Sequence, residues 1–415
     1  MEKVFTLLLY ISCNIASAQT KTTDTSFLKN LLWQHASPRV KLIFQNPDSF
    51  HYQIIYTRID RDKLNQPHFV NYYYHVDRNS YFNPASTVKM PLAFLALEKI
   101  NRLKKYGVNK STAMLTDSAY PGQTTVLRDT SSENNLPSID QYIRKIFLVS
   151  DNDAYNRLYE FLGQQYVNER LWKMGYSDIR ITRRFVPMNE DQNRHTNPIR
   201  FVDNGNVLYT QAPAYNNRVF DFSKKILIGK AHYNSNDSLI QAPMDFTTHN
   251  NLPLEDLQYI LQSVLFPQSV RENQRFDLTD EDYQFLYRYM SEYPSESKYP
   301  HYDTSEYFNS YAKFFMFKSG KSTIPSYIRI FNKPGWSYGF LTDAAYIVDF
   351  KNRVEFIVSA VIYVNSDGIL NDDKYEYDET GYPFFKEVGD IIYKYELERK
   401  RKYRPDLKKL QIDYK

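Results

Sequence analysis

The chain has 415 residues, a formal net charge of +4, 42% hydrophobic residues and an unusual wealth of Tyr (37) and Phe (27). That length buries one large core or two modest ones, and the composition is that of a globular protein. A charge so small for this length argues for no nucleic-acid or membrane partner.

The N-terminus reads as an export signal. Lys3 precedes the apolar run Val4 to Ile11, and Ala16-Ser17-Ala18 follows as an A-x-A cleavage site. The run is too short to span a bilayer, and no later stretch is long enough either. Residues 1–18 are therefore expected to be removed, and the protein is expected in the periplasm or outside the cell. Lipid anchoring at Cys13 is the alternative. Cys13 is the single cysteine, so the mature chain has no thiol left for a disulfide.

After a polar lead-in over 19–39, the apolar, β-branched residues of Val40 to Phe44 predict a strand, as do His51 to Ile59 and His68 to Val76. A helix follows, with Val88, Leu92, Leu95, Ala96 and Ile100 at helical spacing, an irregular first turn at Pro91, and Gly107 as its close. Ser138 caps a second helix, and a third runs from Asp153 to Leu162 and stops at Gly163. The stretch 195–310 is rich in Asn, Tyr, Pro and Ser. It is expected to be helical with long loops, with helices over Leu254 to Leu265 and Thr279 to Tyr289. Tyr327 to Asn332, Ala344 to Phe350 and Val354 to Tyr363 predict three consecutive strands, and a helix over 383–400 ends the fold. Basic residues between Arg399 and Lys409 are expected on a solvated helix end and tail. Strands at both ends with helices between predict an α/β sandwich: one sheet built from both termini, and an inserted helical subdomain.

Three short motifs carry the chemistry. In Ser86-Thr87-Val88-Lys89 the hydroxyl and the amine are one helical turn apart, and serine needs a neighbour that takes its proton. A lysine can do so when burial and nearby cations lower its pKa. Ser295…Lys298 and Ser310…Lys313 share the spacing, but neither opens an amphipathic helix near the start of the chain. Ser150-Asp151-Asn152 occurs once, between two helices. A hydroxyl there can pass a proton to a leaving nitrogen, and Asn152 can bind a substrate amide. Lys333-Pro334-Gly335 is expected at a strand end. Lys318-Ser319-Gly320 is a closer match to the usual Lys-Ser/Thr-Gly form, yet it leads into a loop. Gly335-Trp336-Ser337-Tyr338-Gly339 also spells the elbow of α/β-hydrolases, but strand-like sequence follows Gly339 directly and no histidine follows His301. The eight histidines show no metal-ligand spacing, so neither a metal nor another cofactor is expected.

Ser-x-x-Lys, Ser-Asp-Asn and Lys-x-Gly in this order resemble the signature of class A β-lactamases and penicillin-binding proteins. The resemblance covers most of residues 40–415 except the enlarged middle region. It implies a secreted serine hydrolase that acts through an acyl-Ser86 intermediate on a β-lactam or related amide. It implies Lys89 as proton partner, Ser150 as relay, and Asn152, Lys333, Gly335, Trp336 and Ser337 as substrate-binding. The backbone N–H groups of Ser86 and Trp336 would form the oxyanion hole. Two positions depart from the pattern. Pro334 stands where the family has a hydroxyl residue, for which Ser337 is the candidate substitute. Val186 aligns with the glutamate that activates water, leaving Glu190, with Asn193 three residues on, as the possible deacylation base. The alternatives are a cell-wall peptidase or esterase of the same fold, and a penicillin-binding sensor that does not turn over.

Overall fold

The computed structural model describes residues 25–414; the expected export signal and Cys13 lie outside the described residues. Its centre is a five-stranded sheet: β1 (Gln53–Arg61), β2 (Pro67–Tyr74), β3 (Ile328–Ser337), β4 (Phe340–Asp349) and β5 (Val354–Tyr363). The order is β3–β4–β5–β1–β2, and every neighbouring pair is antiparallel. Strands from the two ends of the chain thus join at β1 and β5, as the sequence pattern predicts. Every residue of β4 and β5 is buried, so these strands are covered on both faces and read as apolar runs without alternation.

One face carries α1 (Thr25–His35), α2 (Pro38–Gln45) and the last helix. The expected strand over 40–44 is α2. Ser37 accepts the Val40 N–H at 3.3 Å, Pro38 occupies the first turn, and Val40, Ile43 and Phe44 fall on one buried face. Their i, i+3, i+4 spacing outweighs the β-branched composition.

The other face carries the helical subdomain: α3 (Lys89–Arg102), α4 (Ile139–Val149), α5 (Asn152–Leu162), α6 (Gln164–Lys173), α7 (Leu254–Leu265) and α8 (Asp280–Ser291). Helix α4 is capped by Ser138 and α8 by Thr279, while Gly163 ends α5. Pro91 sits inside α3, and the turn before it, Ala85–Val88, is 3-10.

The middle region departs from expectation. Two helices appear where the pattern places them, but short strands fill much of the rest. Ile199–Asp203 and Asn206–Gln211 form a hairpin that adds to Ala113–Thr116. Asn204 and Gly205, with φ of 47° and 80°, make its two-residue turn. Asn-Gly is a strong hairpin signal that composition alone hides.

The last helix, α9 (Tyr382–Glu398), is followed by a basic segment that is not simply solvated. Arg399 and Arg401 converge on the buried Glu396 carboxylate, which also accepts the Tyr56 hydroxyl. Arg399 reaches Asp60 at 2.7 Å and the Ile59 carbonyl at 2.8 Å. These cations staple the chain end to β1.

Candidate active site

Ser86 lies half-buried in the 3-10 turn Ala85–Val88 that feeds α3. The turn is rigid. Asn83 Oδ1 accepts the Ala85 N–H at 2.9 Å, and Pro84 O accepts the Thr87 N–H at 3.0 Å and the Thr87 hydroxyl at 2.6 Å. Ala85 has φ +44°, a strained value for a residue with a Cβ. Such strain persists only where the surroundings enforce it.

One turn on, Lys89 is wholly buried. Its Nζ donates to the Ser150 carbonyl, to Asn152 Oδ1 at 2.6 Å and to Ser150 Oγ at 3.3 Å. Burial lowers its pKa to about 7, and the Asp151 charge opposes that only in part. A neutral amine has two N–H bonds and one lone pair. The three donations belong to the ammonium; once neutral, the amine keeps its two N–H bonds on the Ser150 carbonyl and Asn152 Oδ1, and its lone pair is left to accept a hydroxyl proton.

Ser150 ends α4 in the left-handed conformation, φ 63° and ψ 38°, and Asp151 caps α5 by accepting the Ala154 N–H at 2.8 Å. The turn between two helix ends thereby projects the Ser150 hydroxyl and carbonyl toward Lys89. Lys333 donates to the same hydroxyl at 2.8 Å and to Pro334 O at 2.7 Å. Burial first, and then the Lys89 charge, drive the Lys333 pKa well below its ordinary value. One serine oxygen thus receives both lysines, and the first and third motifs meet across the second.

Gly335 closes the arrangement. A Cβ there would stand 2.7 Å from Ser86 N, 2.9 Å from Pro84 O and 2.9 Å from Thr87 N. Only glycine lets β3 lie so close to the Ser86 backbone. The expected strand end at Lys333 is corrected: β3 runs through the motif to Ser337. Pro334 is tolerated because β3 is an edge strand. Trp336 and Ser337 follow, both half-buried. Trp336 packs with Phe314 in the core on the far face of the sheet, which fits the strand alternation from Gly335.

Behind Lys333 lies a second buried polar group that the motifs do not announce. Asn332 donates to both oxygens of Asp343, at 2.9 and 3.0 Å, and accepts from Lys313 at 2.8 Å. Burial raises Asp343 to about 7 and lowers Lys313 to about 7. Lys313 belongs to one of the rival Ser-x-x-Lys pairs, and its amine is consumed by Asn332 and the carbonyls of Met290 and Ile330. Ser295 sits in an isolated turn, Pro294–Glu296. Lys318 of the rival Lys-Ser-Gly lies among the rings of Phe308, Tyr311, Trp336 and Tyr382.

Phe185 brings its ring to 5.0 Å from the Lys89 amine. Val186 and Glu190 are exposed, and among the described residues no hydrogen bond or ion pair joins Glu190 to Ser86, Lys89, Ser150 or Lys333. Asn193 is buried and holds the loop, accepting the Arg184 N–H at 2.8 Å. Among the described residues no group of three or more His, Cys, Asp or Glu side chains is placed to hold a metal ion.

Residues 68–222 match the family described as the beta-lactamase enzyme family. Solved structures with a similar fold include a beta-lactamase from Sphaerobacter thermophilus, 12% identical over 87% of this chain and 96% of that one, TM-score 0.45. PBP-A is 14% identical over 89% and 96%, TM-score 0.47, and an ancestral class A beta-lactamase is 13% identical over 86% and 99%, TM-score 0.46. No curated protein sequence matches. The family match spans Ser86, Lys89 and Ser150-Asp151-Asn152, and the fold brings Lys333-Pro334-Gly335 onto them. Over residues 68–222, which hold the first two motifs, the chain is similar to the beta-lactamase enzyme family.

Proposed function

We propose that the protein is an acyl-transfer hydrolase in which Ser86 forms an ester with the carbonyl of a β-lactam or related amide. The observation that carries this is the meeting of Lys89 and Lys333 on the Ser150 oxygen beside a turn that Gly335 packs against. Lys89, neutral in good part near pH 7, takes the Ser86 proton as Oγ attacks. The Ser86 and Trp336 N–H groups hold the oxyanion. As the C–N bond breaks, Ser150 hands a proton to the leaving nitrogen and is resupplied by a neighbouring lysine. Lys333 gives positive charge for a substrate carboxylate, Asn152 binds the substrate amide, and Ser337 stands in for the hydroxyl that Pro334 lacks. Export follows from the Val4 to Ile11 run and the Ala16–Ala18 site.

Release of the acyl group is the slow step in this reading. Phe185, an apolar ring, faces Lys89, and Glu190 has no bond to the cluster. This favours a peptidase, an esterase or a long-lived penicillin binder over an efficient β-lactamase. Mixing the protein with fluorescent penicillin and following the label by mass spectrometry tests both points. A Ser86-linked adduct that decays over many minutes is expected. No adduct, or equal labelling of Ser86→Ala, removes the acyl-enzyme, and decay within a second removes the slow release.

A further inference from the structure

Lys333 supplies positive charge in the proposed reaction, yet its direct partners are neutral. Its amine donates to Ser150 Oγ and Pro334 O, and among the described residues it forms no ion pair. Burial works against its charge, and so does the Lys89 amine that shares Ser150 Oγ. A buried ammonium persists only where an opposite charge stands near enough to compensate it.

That opposite charge lies on the other face of the same two strands. Asp343 is wholly buried on β4, directly opposite Pro334, the residue after Lys333 whose carbonyl takes its amine. Strand alternation sends Lys333 toward the helical subdomain and Asp343 to the far face, beside Asn332. Opposed residues of an antiparallel pair have Cα atoms about 5 Å apart, so little more than the backbone separates the two side chains at their roots. The Asp343 oxygens accept from the Asn332 amide and from the Phe314 N–H at 3.3 Å, and both donors are neutral. Among the described residues Asp343 forms no ion pair. A buried carboxylate bonded only to neutral donors acts on charges further off, because the interior screens it weakly.

Two cations share its field. The Lys313 amine donates to Met290 O, Ile330 O and Asn332 Oδ1, the three bonds of an ammonium, and the Asn332 amide bridges it to Asp343. Lys333 is the other. After burial and Lys89, the largest influence on Lys333 is Asp343, which favours its charge and outweighs the repulsion from Lys313. The charges beyond Lys313 cancel locally, since Arg329 pairs with Glu296 at 2.7 Å and Arg288 with Glu292 at 3.6 Å. On its other sides Asp343 meets Ala360 of β5 and Phe314, against which Phe385 of α9 packs.

We propose that Asp343 is a positioning residue of the site: its carboxylate is the counter-charge, acting through the sheet, that holds positive charge on Lys333 for a substrate carboxylate. The use made of that charge rests on the acyl-Ser86 reading, whereas the pairing of Asp343 with Lys333 does not. Asn332 gains a task as well. As a neutral bridge it ties Lys313 to Asp343 without a direct ion pair, which would confine the carboxylate's field to Lys313.

The test follows the pH titration of the Lys333 Cε signal in protein with carbon-13 lysine, assigned by its loss in Lys333→Met. Asp343→Asn is expected to lower the Lys333 midpoint by about one pH unit, the effect of one charge at such range. Adding Lys313→Met removes both charges and is expected to restore at least half of that shift, whereas damage to packing would accumulate. At pH 7 the penicillin concentration for half-maximal labelling of Asp343→Asn is expected to rise about tenfold. Reaction with p-nitrophenyl acetate, which has no carboxylate, is expected to stay within about twofold. An unmoved Lys333 midpoint, a double variant shifted as far as the single one, or an equal loss with both substrates overturns the proposal. The wild type gives a reading that no variant's folding can spoil. With carbon-13 aspartate every carboxyl is expected to be ionised at pH 8, and one still protonated there overturns the counter-charge. A protein whose Lys333 midpoint moves as expected but whose Ser86 is never labelled loses only the acyl-enzyme reading. One that is labelled by penicillin but keeps its Lys333 midpoint in Asp343→Asn loses only the role of Asp343.

Discussion

Replacing Gly335 by alanine adds one methyl group where three backbone atoms already stand. Its Cβ would lie 2.7 Å from Ser86 N and 2.9 Å from both Pro84 O and Thr87 N. Ordinary carbon contacts are about 3.5 Å or longer, so something must retreat by roughly 0.8 Å. Neither side yields easily. The Pro84–Thr87 turn is fixed by hydrogen bonds from Ala85 and Thr87, and β3 is paired with β4 along its length. Overpacking of this kind costs about 1–3 kcal/mol of stability. A displacement near 1 Å at a reacting group costs about 10²-fold in rate, and the same shift separates the Ser86 and Trp336 N–H groups. Urea unfolding of Gly335→Ala is expected to show that loss, and stopped-flow labelling with fluorescent penicillin an acylation rate down by about 10²-fold. A variant with wild-type midpoint and wild-type acylation rate would refute the close approach of β3 to the nucleophile.

Under the proposed function the acylation rate depends on pH through Lys89, whose neutral form would take the Ser86 proton. With its pKa lowered to about 7, the rate is expected to fall about tenfold per pH unit below that value and to level off above it. A profile flat from pH 5 to 8 would exclude Lys89 as the base. Arg184 is buried, pairs with buried Glu160 at 3.0 Å and donates to His195 O at 2.7 Å. Arg184→Met removes one of the two cations on Glu160, Arg157 at 3.0 Å remaining, and is expected to cost about 1–3 kcal/mol in urea unfolding; a cost under about 0.5 kcal/mol would contradict that role. Protein secreted by its host is expected to begin at Gln19, as intact-mass measurement will report. A start at Cys13 with an added lipid mass would show anchoring instead.

Much of the fold was legible because local rules and tertiary environment agreed. Ser138 and Thr279 cap the helices they precede, and Val354–Tyr363 is a strand along its whole predicted length. The failures came where two local signals competed. Val40 to Phe44 is β-branched in composition but helical in period, and burial of one face against the sheet decides for α2. In the middle region polar composition masked the Asn204-Gly205 turn, whose positive φ values define a hairpin. The basic tail looked solvated because Glu396, its buried partner, cannot be recognised as buried from spacing alone.

By itself the sequence determined the nucleophile candidate and its two partner motifs, because spacing along a helix and residue type are local properties. It also determined that the sheet draws strands from both chain ends. Only the tertiary structure decided which matching motifs count. Lys313 and Lys333 are both buried lysines in plausible motifs, yet one amine is consumed by carbonyls and an amide oxygen, and the other meets the Ser150 hydroxyl. The structure likewise lowered the Lys89 pKa to about 7, by burying it, and set an apolar ring beside it. Burial and long-range proximity set pKa values and partners, and neither is a function of distance along the chain.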